Sequence, residues 1–127
     1  MCGIIGISSK NPIVKSIAYL VNGLKLLQNR GYDSAGIGMV DEKNQQMFIS
    51  KYASTEQNNS ILLLENDIEK FIDCSVGIAH TRWATHGGPT DVNAHPHIDE
   101  TGKIAVIHNG IIENYLELKA TPDYIES

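Results

Sequence analysis

Short runs of β-branched and apolar residues alternate along this chain with stretches whose apolar residues recur at helical spacing, and that alternation restricts the fold to a layered one. Gly3 to Ser8 reads as a buried strand. Ile17, Leu20, Val21, Leu24 and Leu27 mark one side of a helix that follows Asn11-Pro12, begins at Ile13 and stops near Asn29. Ala35 to Val40 and Gln46 to Lys51 form a strand pair joined by the polar turn Asp41 to Asn44. The polar stretch Ser54 to Ser60 leads into a helix carrying Ile61, Leu62, Leu64, Ile68 and Ile72, with Ser60 as its cap. Strands are predicted at Val76 to His80 and Ile104 to His108, and a last helix from Gly110 to Lys119. That order gives an α/β or α+β layered domain with a largely antiparallel sheet.

The chain of 127 residues is 42% hydrophobic with a net charge of −5, enough for one domain with a real core. No basic stripe suits phosphates, so nucleic acid and anionic membranes are not expected partners. No apolar run approaches the roughly 20 residues of a spanning helix. The first residues lack the pattern of a signal peptide, and Cys2 and Cys74 make no disulfide framework. Together these features point to a reducing, cytoplasmic setting in which a thiol stays free.

Three places carry chemistry. Removal of Met1 would leave a thiol and a free α-amine on Cys2, and an amine of pKa about 7.7 to 8.0 is suited to shuttle a thiol's proton. Read alone, a Cys beside the apolar run Ile4, Ile5 and Ile7 is most often a small buried hydrophobe. The Gly-Gly-Pro punctuation makes a loop of the stretch from Thr81 to His97. There Arg82 offers a fork for a carboxylate, Thr85 and His86 add donors, and Trp83 could cover a small molecule. The bland alternative is a hydrated loop with Arg82 in an ion pair and Trp83 plugging the core. Finally, Asn109-Gly110 between a strand and a helix reads either as an oxyanion-binding turn or as a helix cap with a flexible glycine.

The histidines His80, His86, His95, His97 and His108 invite a metal reading, yet no paired Cys or His-Glu-x-x-His spacing accompanies them. No glycine-rich phosphate loop occurs either. Neither a metal nor a cofactor is therefore expected.

Taken together, a thiol-bearing N-terminus, a carboxylate-binding loop and an oxyanion turn describe glutamine amide hydrolysis. The wording is close as well, in the blocks Met1 to Ile4, Arg30 to Gly36, Gly77 to Gly87, Asn93 to His97 and His108 to Asn114. In these blocks the chain resembles the N-terminal glutaminase domain of the glucosamine-6-phosphate synthases, also called isomerizing glutamine:fructose-6-phosphate aminotransferases. They are class II glutamine amidotransferases with the N-terminal nucleophile (Ntn) hydrolase fold, an αββα sandwich. The resemblance covers nearly everything up to Lys119. It implies that Cys2 attacks the glutamine δ-carbonyl and that Asn109 and Gly110 form the oxyanion hole. Arg82, Thr85 and His86 would hold the α-carboxylate, Trp83 would sit in a closing loop, and Arg30 would support the N-terminus. In the family, the ammonia goes to fructose 6-phosphate in sugar-isomerase domains.

The departures set further expectations. The family's glutaminase domain is longer than this chain, and the isomerase domains that follow it are absent from the sequence. Residues 1–127 therefore read as the N-terminal portion of the glutaminase domain. The family's Thr-Asp-Thr-Glu segment, whose Asp grips the substrate amine, has no counterpart in Ala120 to Ser127, and Asp123 does not inherit that role. Lys51 to Ser60 also lacks the glycine-bearing turn usual there. Half of a two-sheet core would expose an apolar face, so poor stability is expected without a partner chain or a second copy. The non-catalytic alternative is a truncated relic that binds glutamine or a full-length subunit.

Overall fold

The computed structural model describes residues 2–10, 15–30, 33–84 and 87–121, apart from the side chain of Arg30. The elements follow in the order β1 (Gly3–Ser8), α1 (Ser16–Leu27), a 3-10 turn (Gln28–Arg30), β2 (Ser34–Asp41) and β3 (Gln46–Ala53). Then come α2 (Ser60–Glu65), a second 3-10 turn (Ile68–Phe71), β4 (Val76–Arg82), β5 (His97–Ile98), β6 (Ala105–Val106) and α3 (Tyr115–Lys119). The architecture is α+β.

Four strands make an antiparallel sheet in the order β1-β4-β2-β3, and β5 pairs with β6 separately. Strand alternation sorts the sheet into two faces. Ile5 lies opposite Ala79, which lies opposite Ile37 and, through it, Ser50. These residues share the face covered by α1 and α2. Ile4, His80, Gly36 and Lys51 are matched in the same way on the other face. β2 is buried nearly throughout because both of its faces are covered.

The helix-covered face holds the core. Leu20, Leu24, Ile37, Leu64, Phe71 and Ala79 are fully buried there, with Ile5, Ile7 and Phe48 packed against them. Each of the Leu, Ile and Phe side chains contributes about 1.5–3 kcal/mol by leaving water. Asp67 fastens α2 to the sheet, accepting from Tyr52 Oη at 2.6 Å and from the Ser50 hydroxyl. These two donors, Ser50 first, hold its carboxyl below the usual range. By contrast, Ile104, Val106, Ile111, Ile112, Leu116 and Leu118 are all exposed, so the core stops short of the C-terminal stretch.

Several sequence expectations need correction. The second helix ends at Glu65 and resumes as a 3-10 turn, which leaves Leu62 and Ile72 exposed. Its cap is Asn59, whose Oδ1 accepts from Ile61 N at 2.8 Å; Ser60 lies inside the helix. The strand expected over Ile104 to His108 shrinks to Ala105–Val106, and the last helix starts at Tyr115. Thr81 and Arg82 belong to β4 and His97 to β5, so the predicted loop is shorter than its punctuation suggested. The helix start at Ile13 lies outside the described residues.

The face of the sheet away from the helices is covered by the 94–97 segment, which fits because β2 has no side chain at Gly36. A Cβ there would lie 2.0 Å from the His95 carbonyl oxygen and 2.8 Å from Lys51 Cβ. Backbone cannot yield that far cheaply, so Gly36→Ala is expected to destabilise the fold by about 1–3 kcal/mol in chemical denaturation. An unchanged midpoint would contradict this packing.

Candidate active site

Cys2 extends β1 by one residue onto the face opposite the helices. The Gly3 amide donates to Thr81 Oγ1 at 3.2 Å, and Thr81 Oγ1 in turn approaches Leu27 O at 3.4 Å. Gly3 is needed there, because a Cβ would meet Leu27 Cδ1 at 2.7 Å and Thr81 Oγ1 at 2.9 Å. Held in this way, the half-buried Cys2 accepts from the Trp83 amide on Sγ at 3.3 Å, and its thiol approaches Trp83 O at 3.7 Å. The thiol therefore sits against the backbone just past β4, and an amide N–H points at its sulfur.

Asn109 arrives from the far end of the chain. Its Nδ2 donates to the Cys2 carbonyl at 3.3 Å, and its Oδ1 lies 2.8 Å from His80 Nε2. Both Asn109 and Gly110 are exposed and outside regular structure. They do not open a helix, because α3 begins five residues later and is only five residues long. No helix dipole acts at Asn109-Gly110. The donors available there are the Asn109 amide and the Gly110 backbone N–H.

Arg82 lies on the same face at the end of β4 and is 9% exposed, so its cation is held rather than waving in solvent. Its Nη1 donates to Gly88 O at 3.1 Å, and Asn93 Nδ2 reaches that carbonyl at 3.1 Å. Asp33 Oδ2 accepts from the Ala84 amide at 2.7 Å, and the Asp33 amide donates to Arg82 O at 3.0 Å. These bonds tie the start of the Trp83 loop to β2. Trp83 itself is 42% exposed, so it does not plug the core. A cavity of about 690 Å³ is lined by Cys2, Arg82, Trp83, His80, Asn109 and Gly110, among others.

Three imidazoles line one side of this cavity. His80 and His95 have ring centroids 4.6 Å apart, and His95 and His97 4.4 Å apart. Burial pushes His95 down to about 4, helped by His80, His97, Arg82 and Lys51 nearby. Burial lowers His80 and His97 as well, with the Asn109 contact opposing it for His80. Lys51 anchors the segment, donating to Val92 O at 3.1 Å and Ala94 O at 2.9 Å. Among the described residues, no three His, Cys, Asp or Glu side chains converge to hold a metal ion.

The structure thus brings together Cys2, Arg82, Trp83, Asn109 and Gly110 from the sequence reading. Thr85, His86, the Arg30 side chain, Met1 and Asp123 lie outside the described residues. Three contributors had no site role of their own in the sequence reading: His80, which entered as a metal candidate and within the Gly77 to Gly87 block, Asp33, which entered only within the Arg30 to Gly36 block, and Lys51. His80 had a readable signal, since it is two residues from Arg82 on one strand and must share its face. Lys51 and Asp33 had none, because their partners are backbone groups distant in sequence.

The sequence pattern of the family described as "Glutamine amidotransferases class-II" matches residues 1–124. The chain belongs to that family. It is 50% identical over 120 residues to a protein of Bacteroides thetaiotaomicron named "Glutamine--fructose-6-phosphate aminotransferase [isomerizing]". Proteins with the same name from Leifsonia xyli and Chlorobaculum tepidum are 45% identical over 121 residues and 46% over 119. Each of these matches covers 94% of this chain and 18% of the relative, so the chain spans under a fifth of their length. No helix among the described residues is long and apolar enough to cross a membrane.

The imidazole cluster gives a pH dependence. His95 binds a proton near pH 4 when folded and near 6.5 when unfolded, so between those values the unfolded chain holds more protons. Stability is therefore expected to be full above about pH 6.5 and to fall as the pH drops toward 4. Urea unfolding of wild type and His95→Gln across pH 4.5–7.5 checks this. The variant's curve should be flatter; parallel curves would exclude His95 as the source.

Proposed function

We propose that this chain carries a glutamine-hydrolysing site whose nucleophile is Cys2 after removal of Met1. The sulfur attacks the δ-carbonyl carbon of L-glutamine, and the thiol proton passes by way of the freed α-amine to the departing nitrogen, which leaves as ammonia. Water then cleaves the thioester and releases glutamate. Asn109 Nδ2 and the Gly110 N–H stabilise the oxyanion formed in each step. Arg82 pairs with the substrate α-carboxylate, with Thr85 and His86 completing that pocket and Trp83 covering it. Arg30 supports the N-terminus from the turn after α1.

One observation carries this reading: the Cys2 thiol, the Asn109 amide and the Arg82 guanidinium line one cavity, although they lie up to 107 residues apart. An exposed loop with a buried structural cysteine would not gather a nucleophile, an amide donor and a cation around an open volume. A reducing cytoplasm suits a chemistry that needs Cys2 as a free thiol.

The named relatives are fructose-6-phosphate aminotransferases, and on that basis we assign residues 1–127 to the N-terminal portion of a glutaminase domain. The ammonia it frees serves amination of fructose 6-phosphate to glucosamine 6-phosphate in a longer polypeptide, for synthesis of amino sugars. The αββα sandwich of an Ntn hydrolase belongs to the same proposal. The α1-α2 layer and the four-stranded sheet would supply two of its layers, and the β5-β6 pair lies on the side where a second sheet would stack.

An electrophilic glutamine analogue and an intact-mass measurement provide the test. The account expects a chain lacking Met1 that carries one adduct on Cys2, no adduct on Cys2→Ala, and glutamate release from glutamine by the wild type only. A chain that retains Met1 and stays unreactive would defeat it, because a blocked amine cannot act as the base.

A further inference from the structure

We infer that His80 is a positioning residue whose Nε2–H fixes the orientation of the Asn109 side-chain amide, so that its NH2 faces the reacting carbonyl. The inference rests on the reading of Asn109 as an oxyanion donor and adds the group that makes it one.

The amide of an asparagine is nearly symmetric in shape and opposite in charge at its two ends. Turned one way, Asn109 presents N–H donors to a developing oxyanion; turned the other, it presents a carbonyl oxygen and repels it. Its own surroundings do little to choose. Asn109 is exposed, lies in no helix or strand, and is followed by the exposed residues Gly110, Ile111 and Ile112. The choice has to be imposed from outside.

Two contacts impose it. The Cys2 carbonyl can only accept, so the Asn109 atom 3.3 Å away is the NH2 nitrogen. That leaves Oδ1 against His80 Nε2 at 2.8 Å, and an oxygen there requires the ring nitrogen to carry the hydrogen. His80 is well placed for this task. It is 1% exposed, in a strand paired on both sides, opposite Ile4 of β1 and Gly36 of β2. A rigid strand residue thus anchors a residue that its own segment does not hold.

The rest of the ring agrees. His80 Nδ1 is buried with no hydrogen-bond partner. Burial keeps the imidazole neutral, so only one nitrogen bears a hydrogen, and that one is engaged by Asn109. The His95 ring 4.6 Å away backs His80 on the same side of the sheet and limits its movement.

The test compares wild type, His80→Gln and His80→Met in the full chain. Gln can offer a side-chain N–H near the position of Nε2, whereas Met is of similar bulk without a donor. Loss of the orienting bond is expected to lower kcat for glutamine hydrolysis by about 10-fold or more in His80→Met with KM nearly unchanged, since the lost interaction matters in the transition state. His80→Gln should recover most of that kcat. Alkylation of Cys2 by iodoacetamide forms no oxyanion and should proceed at one rate in all three proteins. Wild-type kcat in His80→Met, equal impairment in His80→Gln, or a parallel loss of alkylation would overturn the inference. If the wild type releases no glutamate, the glutaminase reading fails separately. The ring nitrogen NMR signals of His80 still judge this proposal in that case: a protonated Nε2 with a bare Nδ1 supports it, and the opposite tautomer overturns it.

Discussion

The pairing of β1 with β4 is the constraint on which the rest of the structure depends. Its register sets Gly3 opposite Thr81 and Ile4 opposite His80, which brings Cys2 beside Trp83 and leaves its thiol on the face away from the helices. Side chains alternate along a strand, so a slip of one residue would turn Cys2 and Ile4 toward α1 and Ile5 and Ile7 away from it. The core guards against that slip. Ile5 and Ile7 pack against the buried cluster beneath α1, while the outward Ile4 is half exposed. Burial of two isoleucines thus fixes the direction in which the Cys2 thiol points.

From that register the site assembles with few additional devices. Gly3 lets β1 approach Thr81 and Leu27, and Gly36 makes room for the His95 carbonyl. Asp33 and Lys51 each hold backbone of the segments that follow β4. The same sheet therefore serves two purposes on its two faces. One face is dry and supplies stability; the other carries His80, Arg82 and the Cys2 thiol around an open cavity.

Most of the fold was legible in the sequence where periodicity and burial agree. The apolar spacing of α1 and the alternation in β2 and β3 report directly on the buried face, and those elements were placed to within a few residues. The second helix was overextended because Leu62 and Ile72 look like core residues but are exposed. The final strand and helix were overextended for a related reason: Ile104 to Leu118 has a strong apolar pattern, yet the structure packs little against it. Cys2, Arg82 and Asn109 were found through the kind of chemistry their side chains can perform and through family wording. His80 was weighed only as a metal ligand. Its contact with Asn109 joins residues 29 positions apart, and it is set by where the stretch after β6 returns to β4 rather than by local pattern.

In the proposed reaction the thiol of Cys2 and the amide of Asn109 act on one substrate carbonyl. The most direct measurement is NMR of the amide groups before and after Cys2 is capped by a carbonyl-bearing glutamine analogue. The account expects the Asn109 side-chain NH2 and the Gly110 N–H to shift most, as they take up the adduct's oxygen, with the helix-covered face unchanged. Shifts confined to the Trp83 loop, with Asn109 and Gly110 unmoved, would contradict it.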